Sequence, residues 1–374
     1  MKKILFYIDT LGKGGLDKVV LDVVNHMDFS KYDVTVMRRF PGGYYSQFLD
    51  QRIHKKANMP FKETCSKFYD HLVRVVCDRL PRKMVYRMFV HKKYDIEIAC
   101  GDAFAATLIG GSTNPDSIKI LWEHMDVTKD ISTATYYNKE QVEEFFGPFH
   151  QIVGVSKDCR DKFIEKYGFA EKVSYIYNPI DIEDIDKKSV EFIPNEYQKN
   201  EFNILAIGRF MPQKAFARLI TVCAGLRDEG LKFKLNIIGE GPEEDIIKEK
   251  ISELDMKDNV QLLGFKENPY PYIKEADLFV CASIHESYCL VVAESLVVGT
   301  PVVSTMCTGP IELLDNGRYG LLVENSENGL CAGIREMVNT PEKLSEYKNK
   351  TKDRREFFSI EESMKAWEEI FERC

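Results

Sequence analysis

The chain has 374 residues, of which 44% are hydrophobic and 29% are charged, and this length predicts two domains. A net charge of −8 argues against a general nucleic-acid-binding protein, and the ordinary apolar content excludes a disordered or collagen-like chain. No run approaches the roughly 18 apolar residues of a membrane-spanning helix, and the apolar run 4–8 is too short for a secretory signal. None of the cysteines is spaced as CxxC, so we expect a cytoplasmic protein with reduced thiols.

Short apolar runs, typical of buried strands, alternate in chain order with longer stretches of helical periodicity. The predicted strands are 4–8, 33–37, 96–100, 118–122, 152–155, 173–177, 202–207, 235–238, 260–263, 278–282, 301–304 and 321–323. Continuous apolar strands are buried on both faces, as in parallel sheets. The pattern therefore predicts an α/β fold of two doubly wound, Rossmann-like domains, 1–180 and 181–352, followed by a C-terminal helix over 353–374. The boundary is placed in the polar stretch 178–200.

Charge is distributed unevenly between these halves: residues 1–180 carry a net charge of +4 and the remainder −12. Segment 62–93 has nine Lys or Arg against three Asp or Glu. Its apolar residues are Leu72, Val73, Val75, Val76, Val85, Met88 and Phe89. Such a segment can lie on an anionic membrane surface, or it can be a solvated face above a stripe that packs on the core.

Ligands of open α/β sheets bind beyond the carboxyl ends of the strands. In the first half, a turn with Gly14 and Gly15 follows the first strand and opens a helix. Its backbone N–H groups can meet an anion or a sugar hydroxyl, or the glycines can simply permit tight packing. His124 follows a later strand, where it can bond a polar ligand or serve the structure.

The second half places charged residues at equivalent positions. Arg209 and Lys214 stand five residues apart on a strand-to-helix turn, which suits a diphosphate, although two surface cations are the plainer alternative. Glu286 and Glu294 stand eight apart, and a helix beginning near Cys289 places the first in a loop and the second on the helix. Amides at that helix start can bind phosphate, and the carboxylates can accept hydrogen bonds from sugar or ribose hydroxyls.

In this order, and together with Gly239-Glu240-Gly241-Pro242 and Gly299-Thr300-Pro301, these motifs resemble the retaining glycosyltransferases of family 4, which have the GT-B fold. The resemblance covers nearly the whole chain. It implies two such domains facing across a cleft, with acceptor bound by the first, nucleotide-sugar by the second, and the C-terminal helix crossing back to the first. It also implies that Arg209 and Lys214 hold the donor diphosphate, that Glu294 binds the ribose and that Glu286 contacts the transferred sugar.

The same resemblance assigns further contacts. Amides near Leu290 and Val291 would meet the phosphates, Gly14 and Gly15 would line the donor–acceptor junction, Gly239 and Phe265 would border the nucleotide base, and His124 would hydrogen-bond near the sugar. The chain departs from the family pattern in three places: Ala215 replaces a usual Gly, Asp17 a usual Glu, and Ser287-Tyr288-Cys289 a smaller Gly-Phe-Gly loop. The last departure leaves the fit of the donor sugar open.

The resemblance and the charged residues predict a retaining, hexosyltransferase-type glycosyltransferase of cell-surface polysaccharide biosynthesis. The expected donor is a UDP-sugar, with a GDP-sugar second, and the expected acceptor is a glycan, free or polyprenyl-linked, at the inner membrane face. No metal or other cofactor is expected, because cations and helix amides stabilise the leaving diphosphate. Asp184-Ile185-Asp186 is formally a DxD motif but lies in the polar boundary stretch. A sugar-nucleotide epimerase, a phosphorylase of similar architecture and a non-catalytic glycan-binding subunit remain as alternatives.

Overall fold

The computed structural model describes residues 1–58, 79–101, 104–128, 138–197 and 201–373. They form two compact units, one of residues 1–179 with 361–374 and one of residues 180–360. Each unit has its own sheet, and all the strand pairs of both sheets are parallel. This confirms the predicted fold class of two doubly wound α/β domains.

The first unit is built on a seven-stranded sheet of order β3-β2-β1-β4-β5-β6-β7. Its strands are β1 (Lys2–Ile8), β2 (Tyr32–Arg38), β3 (His54–Ala57), β4 (Ile96–Cys100), β5 (Ile118–Glu123), β6 (Gln151–Gly154) and β7 (Val173–Tyr175). Its helices are α1 (Gly15–Asn25), α2 (Arg82–Phe89), α3 (Phe104–Gly110), α4 (Lys139–Phe146), α5 (Lys157–Tyr167) and the last helix of the chain, α14 (Ile360–Arg373). The centre of the sheet is dry, since β1 is buried from Ile4 to Ile8.

Strand β3 is not among the predicted strands. It has the sequence His-Lys-Lys-Ala and, among the described residues, pairs only with β2, at the edge of the sheet. An edge strand needs no apolar pattern on both faces, and charged side chains there protect it from pairing with another chain. A search for apolar runs in the sequence therefore does not detect β3.

The second unit has a six-stranded sheet of order β10-β9-β8-β11-β12-β13. Its strands are β8 (Asn203–Ile207), β9 (Lys234–Ile238), β10 (Val260–Gly264), β11 (Leu278–Cys281), β12 (Val302–Thr305) and β13 (Leu321–Val323). Its helices are α6 (Ile182–Ser189), α7 (Phe216–Asp228), α8 (Glu244–Glu253), α9 (Tyr270–Glu275), α10 (Leu290–Val298), α11 (Thr308–Leu313), α12 (Glu327–Asn339) and α13 (Pro341–Arg354). The winding direction changes between the neighbouring strands β8 and β11, which is where ligands of such sheets bind.

The C-terminal helix begins later than predicted. Instead of starting at 353, the chain completes α13 at Arg354, makes a 3₁₀ turn and enters α14 at Ile360. Arg354 donates hydrogen bonds to the carbonyl oxygens of Glu312 and Leu313, each at 3.0 Å, and Arg355 donates to that of Val297 at 3.1 Å. These bonds attach the predicted first turn of the helix to the second unit. Among the helices of the described ranges, none has the length and apolar character needed to cross a membrane.

Candidate functional site

The predicted residues of the second unit converge on one edge of its sheet. Gly208, Arg209 and Lys214 follow the carboxyl end of β8, and Glu286 follows that of the adjacent β11. Gly239 follows β9, and Phe265 follows β10 as a half-buried ring. Because parallel strands end at the same edge, segments far apart in sequence are brought together there.

Lys214 and Glu286 bind each other at this edge. Lys214 Nζ donates a hydrogen bond of 2.5 Å to Glu286 Oε1, which also accepts 2.7 Å from Ser283 Oγ. The side chains are 20% and 12% exposed. Burial alone would lower the pKa of Lys214, but the negative charge of Glu286 and their hydrogen bond outweigh it and raise that pKa. The ammonium is therefore kept charged in a nearly dry position.

The loop that carries Glu286 is braced by residues that sequence reasoning missed. The amide of Ile284 donates to the carbonyl of Gln213 at 2.7 Å, and Asn325 Nδ2 donates to the carbonyl of Ile284 at 2.8 Å. Arg218 in turn donates to Asn325 Oδ1 at 2.9 Å and to the carbonyl of Ala282. Arg218 lies one helical turn beyond Lys214, but no local pattern marks Asn325, which is 107 residues further along the chain.

Two of the departures from the family pattern coincide with unusual backbone. Ala215 has φ +52° and Cys289 has φ +74°, both in the left-handed region that favours glycine. A residue with a Cβ costs about 1–2 kcal/mol there. Both positions flank functional candidates, because Ala215 follows Lys214 and Cys289 precedes α10.

The helix α10 begins at Leu290, which confirms the start predicted near Cys289. Leu290 and Val291 form its half-buried first turn, and Glu294 lies on the second turn, 4% exposed. The hydroxyl of Tyr270 donates to Glu294 Oε1 at 3.3 Å. Arg209, by contrast, is exposed on its loop. The structure thus supplies one exposed cation and one half-buried cation at the same edge.

Gly239 has a structural reason to be glycine. A Cβ on it would lie 1.9 Å from the carbonyl oxygen of Gly208, and its φ is +155°. The loop after β9 is thereby held against the loop after β8, and the amide of Phe210 donates to the carbonyl of Glu240 at 2.9 Å. This close approach fixes the shape of the edge whether or not a nucleotide base lies beside it.

In the first unit, the glycine-rich turn is closed by Asp17. Gly14 is the N-cap of α1, and its amide donates to Asp17 Oδ2 at 2.9 Å, while Gly15 is exposed in the first turn. A Cβ on Gly14 would lie 2.9 Å from the same oxygen. The departure at Asp17 therefore provides a short side chain that reaches back to the N-cap.

His124 comes directly after β5, as predicted, and packs at a centroid distance of 4.6 Å on the buried ring of Trp122. Burial lowers the pKa of His124 to about 3, so the imidazole is neutral at physiological pH. Within the described residues, its enclosed Nε2 has no hydrogen-bond partner. A neutral imidazole can donate or accept one hydrogen bond to a ligand.

Among the described residues, one group of three side chains could together hold a metal ion. The ligand atoms of Cys281, Glu286 and Cys289 lie within 4.8 Å of one another. The DxD carboxylates are on helix α6 and are engaged in ion pairs, Asp184 with Lys188 at 2.6 Å and Asp186 with Arg355. The expectation that no metal is required stays a prediction.

The basic segment 62–93 is described only from residue 79 onward; its first part lies outside the described residues. Arg82 is not a surface cation, because its guanidinium donates to the carbonyls of Ala106 at 3.0 Å and Glu144 at 2.9 Å. Val85 is buried as part of the core. The exposed face of α2 combines cations and apolar side chains, namely Lys83, Met84, Arg87 and Met88.

The fold of two parallel-sheet domains is similar to that of solved GT-B glycosyltransferases. The crystal structure of Anabaena Alr3699/HepE in complex with UDP and glucose is 19% identical, has a TM-score of 0.76, and matches over 100% of both chains. Residues 187–354 match the family model "Glycosyl transferases group 1".

Two curated relatives extend this likeness. One is the Campylobacter jejuni N-acetylgalactosamine-N,N'-diacetylbacillosaminyl-diphospho-undecaprenol 4-alpha-N-acetylgalactosaminyltransferase, 34% identical over 59% of this chain and 60% of its own length. The chain thus spans about three fifths of that relative. An uncharacterized glycosyltransferase of Haemophilus influenzae is 24% identical over 99% of this chain and 100% of its own. The roles of individual site residues stay predictions.

Proposed function

We propose that the protein is a retaining glycosyltransferase of family 4 that moves a hexose-type sugar from a nucleotide-sugar to a glycan or lipid-linked glycan. The observation that carries the proposal is the half-buried Lys214–Glu286 pair, which lies on the loops after β8 and β11, where α10 begins. Cleavage of a glycosyl–phosphate bond leaves negative charge on the nucleotide diphosphate, so a charged donor site has to be cationic where this charge develops.

Lys214 is the main electrostatic group in this mechanism. Without a donor, its ammonium would be buried without a counter-charge, which is costly, and Glu286 fills that place at 2.5 Å. When the diphosphate binds, the ammonium turns to the phosphate oxygens and releases the carboxylate to the hydroxyls of the transferred sugar. The exposed Arg209 clamps the outer phosphate oxygens, and the amides of Leu290 and Val291 donate to them. No metal enters this scheme.

The remaining donor contacts are assigned by position. Glu294, held by Tyr270, accepts from the ribose hydroxyls, and Phe265 with the Gly239 loop borders the base. UDP-sugars are favoured as donors and GDP-sugars come second. The name of the Anabaena structure, a complex with UDP and glucose, supports UDP. Retention of configuration rests on the family resemblance.

The acceptor belongs to the first unit in this proposal, with Gly14, Gly15 and the neutral His124 as hydrogen-bonding groups. The name of the Campylobacter jejuni relative specifies a sugar chain on diphospho-undecaprenol as its substrate, which supports a polyprenyl-linked glycan in cell-surface polysaccharide biosynthesis. The exposed face of α2 would then rest on the anionic inner surface of the cell membrane.

The test is nucleotide release from a panel of UDP- and GDP-sugars, measured with lipid-extracted acceptors and without them. We expect release from one donor class, its loss in Lys214→Ala and Glu294→Ala, and no change in Lys343→Ala, which breaks the ion pair of Lys343 with Glu336 in α12. Absence of release from every donor, with intact folding, would overturn the proposal. Interconversion of sugars without release would indicate an epimerase, and release only with inorganic phosphate a phosphorylase.

A further inference from the structure

Two cysteines touch each other beside the Lys214–Glu286 pair. Cys281 ends β11 and Cys289 caps α10, and their Sγ atoms are 3.7 Å apart. Both cysteines are buried: Cys281 is 5% exposed and Cys289 is 6% exposed. The loop between them carries Glu286, whose carboxylate accepts the hydrogen bond of Lys214. A bond between the two sulfurs would therefore close a ring of residues 281–289 that includes Glu286.

The surroundings of the two thiols hold them next to each other. Either sulfur can donate the proton of the contact between them, and the thiol of Cys281 also donates to Ser283 Oγ at 3.6 Å. Both sulfurs and a carboxylate oxygen of Glu286 lie within 4.8 Å of one another. A cysteine that has a second thiol beside it can be oxidised to a sulfenic acid and then condense with that thiol to a disulfide.

We propose that Cys281 and Cys289 form a redox-active dithiol, and that its oxidation to a disulfide by a hydroperoxide closes the Glu286 loop in an inactive form. This assigns to the chain a modification site in addition to its donor site. Its effect on activity rests on the proposed function, whereas the formation of the disulfide does not.

The chemistry balances in two steps. The Cys281 thiol gives up its proton and its sulfur attacks one oxygen of hydrogen peroxide, so that an S–O bond forms and the O–O bond breaks. The departing hydroxide takes up the proton from Cys281 and becomes water. The Cys289 sulfur then attacks the sulfenic sulfur of Cys281, the S–S bond forms and the S–O bond breaks. The hydroxide leaves with the Cys289 proton as a second water. Two thiols are oxidised by two electrons, and one peroxide is reduced.

Bond formation has to bring the two sulfurs closer together. The sulfurs must approach from 3.7 Å to about 2.05 Å, the length of a disulfide. Cys289 already stands at φ +74° directly before the amides of Leu290 and Val291. Movement of Cys289 toward Cys281 would shift the start of α10 together with the loop of Glu286. This shift would disturb the groups proposed to bind the diphosphate.

A third buried cysteine nearby serves as an internal control. The thiol of Cys307 donates to the carbonyl of Ser283 at 3.1 Å, and burial raises its pKa to about 11. We expect it to stay reduced when the dithiol oxidises.

The experiment exploits the position of Glu286 between the two cysteines. The full-length reduced protein is treated with hydrogen peroxide in the presence of a chelator, alkylated with iodoacetamide and cleaved after glutamate. Cleavage yields peptides 276–286, 287–294 and 295–312, each with one of the three cysteines. We expect the first two to be joined by a disulfide that dithiothreitol reverses, and the third to be alkylated. Retained near-ultraviolet circular dichroism before cleavage shows that the folded protein reacted.

Variants sharpen this test. Cys281→Ala and Cys289→Gly should abolish the linked peptides, and glycine suits the left-handed backbone at 289, while Cys307→Ser should leave them unchanged. Separate, alkylated peptides 276–286 and 287–294 after peroxide treatment, or a link to 307 instead, would overturn the proposal. If the link forms but nucleotide release was never observed, the proposed function fails and the dithiol stands. If release is observed and oxidation lowers it by less than about twofold, the proposed inactivation fails and the proposed function stands, because an effect of at least about tenfold is expected from displaced phosphate-binding groups.

Discussion

The carboxyl edges of the two sheets carry different sets of side chains. The second unit places a half-buried ammonium, two carboxylates and a pair of thiols on its edge, held by bonds from Ser283, Tyr270 and each other. The first unit places glycines and a neutral histidine there, together with Asp9 and the buried Arg39, which follow β1 and β2 and lie 3.9 Å apart. Beside its glycine-rich turn, aromatic rings pack edge to face, with Tyr44 and Tyr45 at a centroid distance of 5.1 Å and Tyr44 and Phe48 at 5.5 Å.

Because of this difference, two similar sheets can bind unlike ligands. A diphosphate needs fixed positive charge, and fixed charge survives in a nearly dry site only with a counter-charge such as Glu286. A neutral sugar needs hydrogen bonds and apolar faces. The amide of Tyr45 donates to the carbonyl of Leu11 at 2.9 Å, which attaches the aromatic rings to the glycine-rich turn. Our proposal of a donor-binding second unit and an acceptor-binding first unit follows this contrast.

The largest expected effect comes from the charged edge. Replacement Lys214→Ala should lower kcat/KM for nucleotide release roughly 10²–10³-fold, the loss seen when one preorganised charge-stabilising group is removed. The matched replacement Lys343→Ala removes a lysine from an exposed ion pair of the same unit and should leave kcat/KM unchanged. A decrease of less than about threefold for Lys214→Ala would place the leaving-group charge elsewhere.

The next effect concerns the backbone of the same edge. Replacement Gly239→Ala should destabilise the second unit by about 3 kcal/mol, because its Cβ meets the carbonyl oxygen of Gly208. The matched replacement Gly225→Ala, within α7 and with open space around its Cα, should instead stabilise by about 0.5–1 kcal/mol. Hydrogen-exchange protection of the backbone amides in β8 (203–207) and β9 (234–238) measures the change in stability for both variants. Equal effects of the two replacements would contradict this interpretation.

The neutral state of His124 in the first unit can be tested through pH. The folded-state pKa of His124, about 3, lies below the unfolded value of about 6.5, so the unfolded chain binds a proton that the folded unit does not. Stability should therefore fall as the pH is lowered through this window, by about 1.4 kcal/mol per pH unit. Between pH 7 and pH 5, the wild type should lose about 2 kcal/mol more than His124→Gln.

The two tryptophans make this measurement specific to the first unit, because Trp122 and Trp367 both belong to it. Urea titrations followed by tryptophan fluorescence would give the free energy of unfolding at each pH. Parallel losses in the wild type and in His124→Gln would show that the imidazole titrates normally.

The smallest effect concerns the exposed face of α2. The double replacement Lys83→Ala and Arg87→Ala should weaken binding to phosphatidylserine vesicles by about 2 kcal/mol, or about 30-fold, at about 1 kcal/mol per cation. Lys348→Ala with Lys352→Ala in α13 removes two exposed cations at the same spacing and is the control. Cosedimentation measures both. Equal retention of binding by both pairs would remove α2 from the membrane proposal. Arg82 is left intact because it holds the helix to the unit.

Most strands could be predicted to within one or two residues, because a strand buried on both faces is an uninterrupted apolar run. The edge strand β3 could not, since its pattern is charged. The placement of Lys214, Glu286 and Glu294 on strand-to-helix turns followed from the motifs. Their bonding did not: Lys214 and Glu286 are 72 residues apart, and Tyr270 is 24 residues from Glu294. Local sequence patterns do not indicate which side chains come into contact at the edge of a sheet.

The sequence by itself determined the class of fold, the order of the strands along the chain and the residue types at the ends of those strands, because periodicity and turn composition are local properties. Only the tertiary structure decided that Glu286 neutralises Lys214, that Gly239 is required by the carbonyl of Gly208, and that Cys281 and Cys289 touch. Each of these contacts depends on sheet order, which sets distances between segments that the sequence keeps apart.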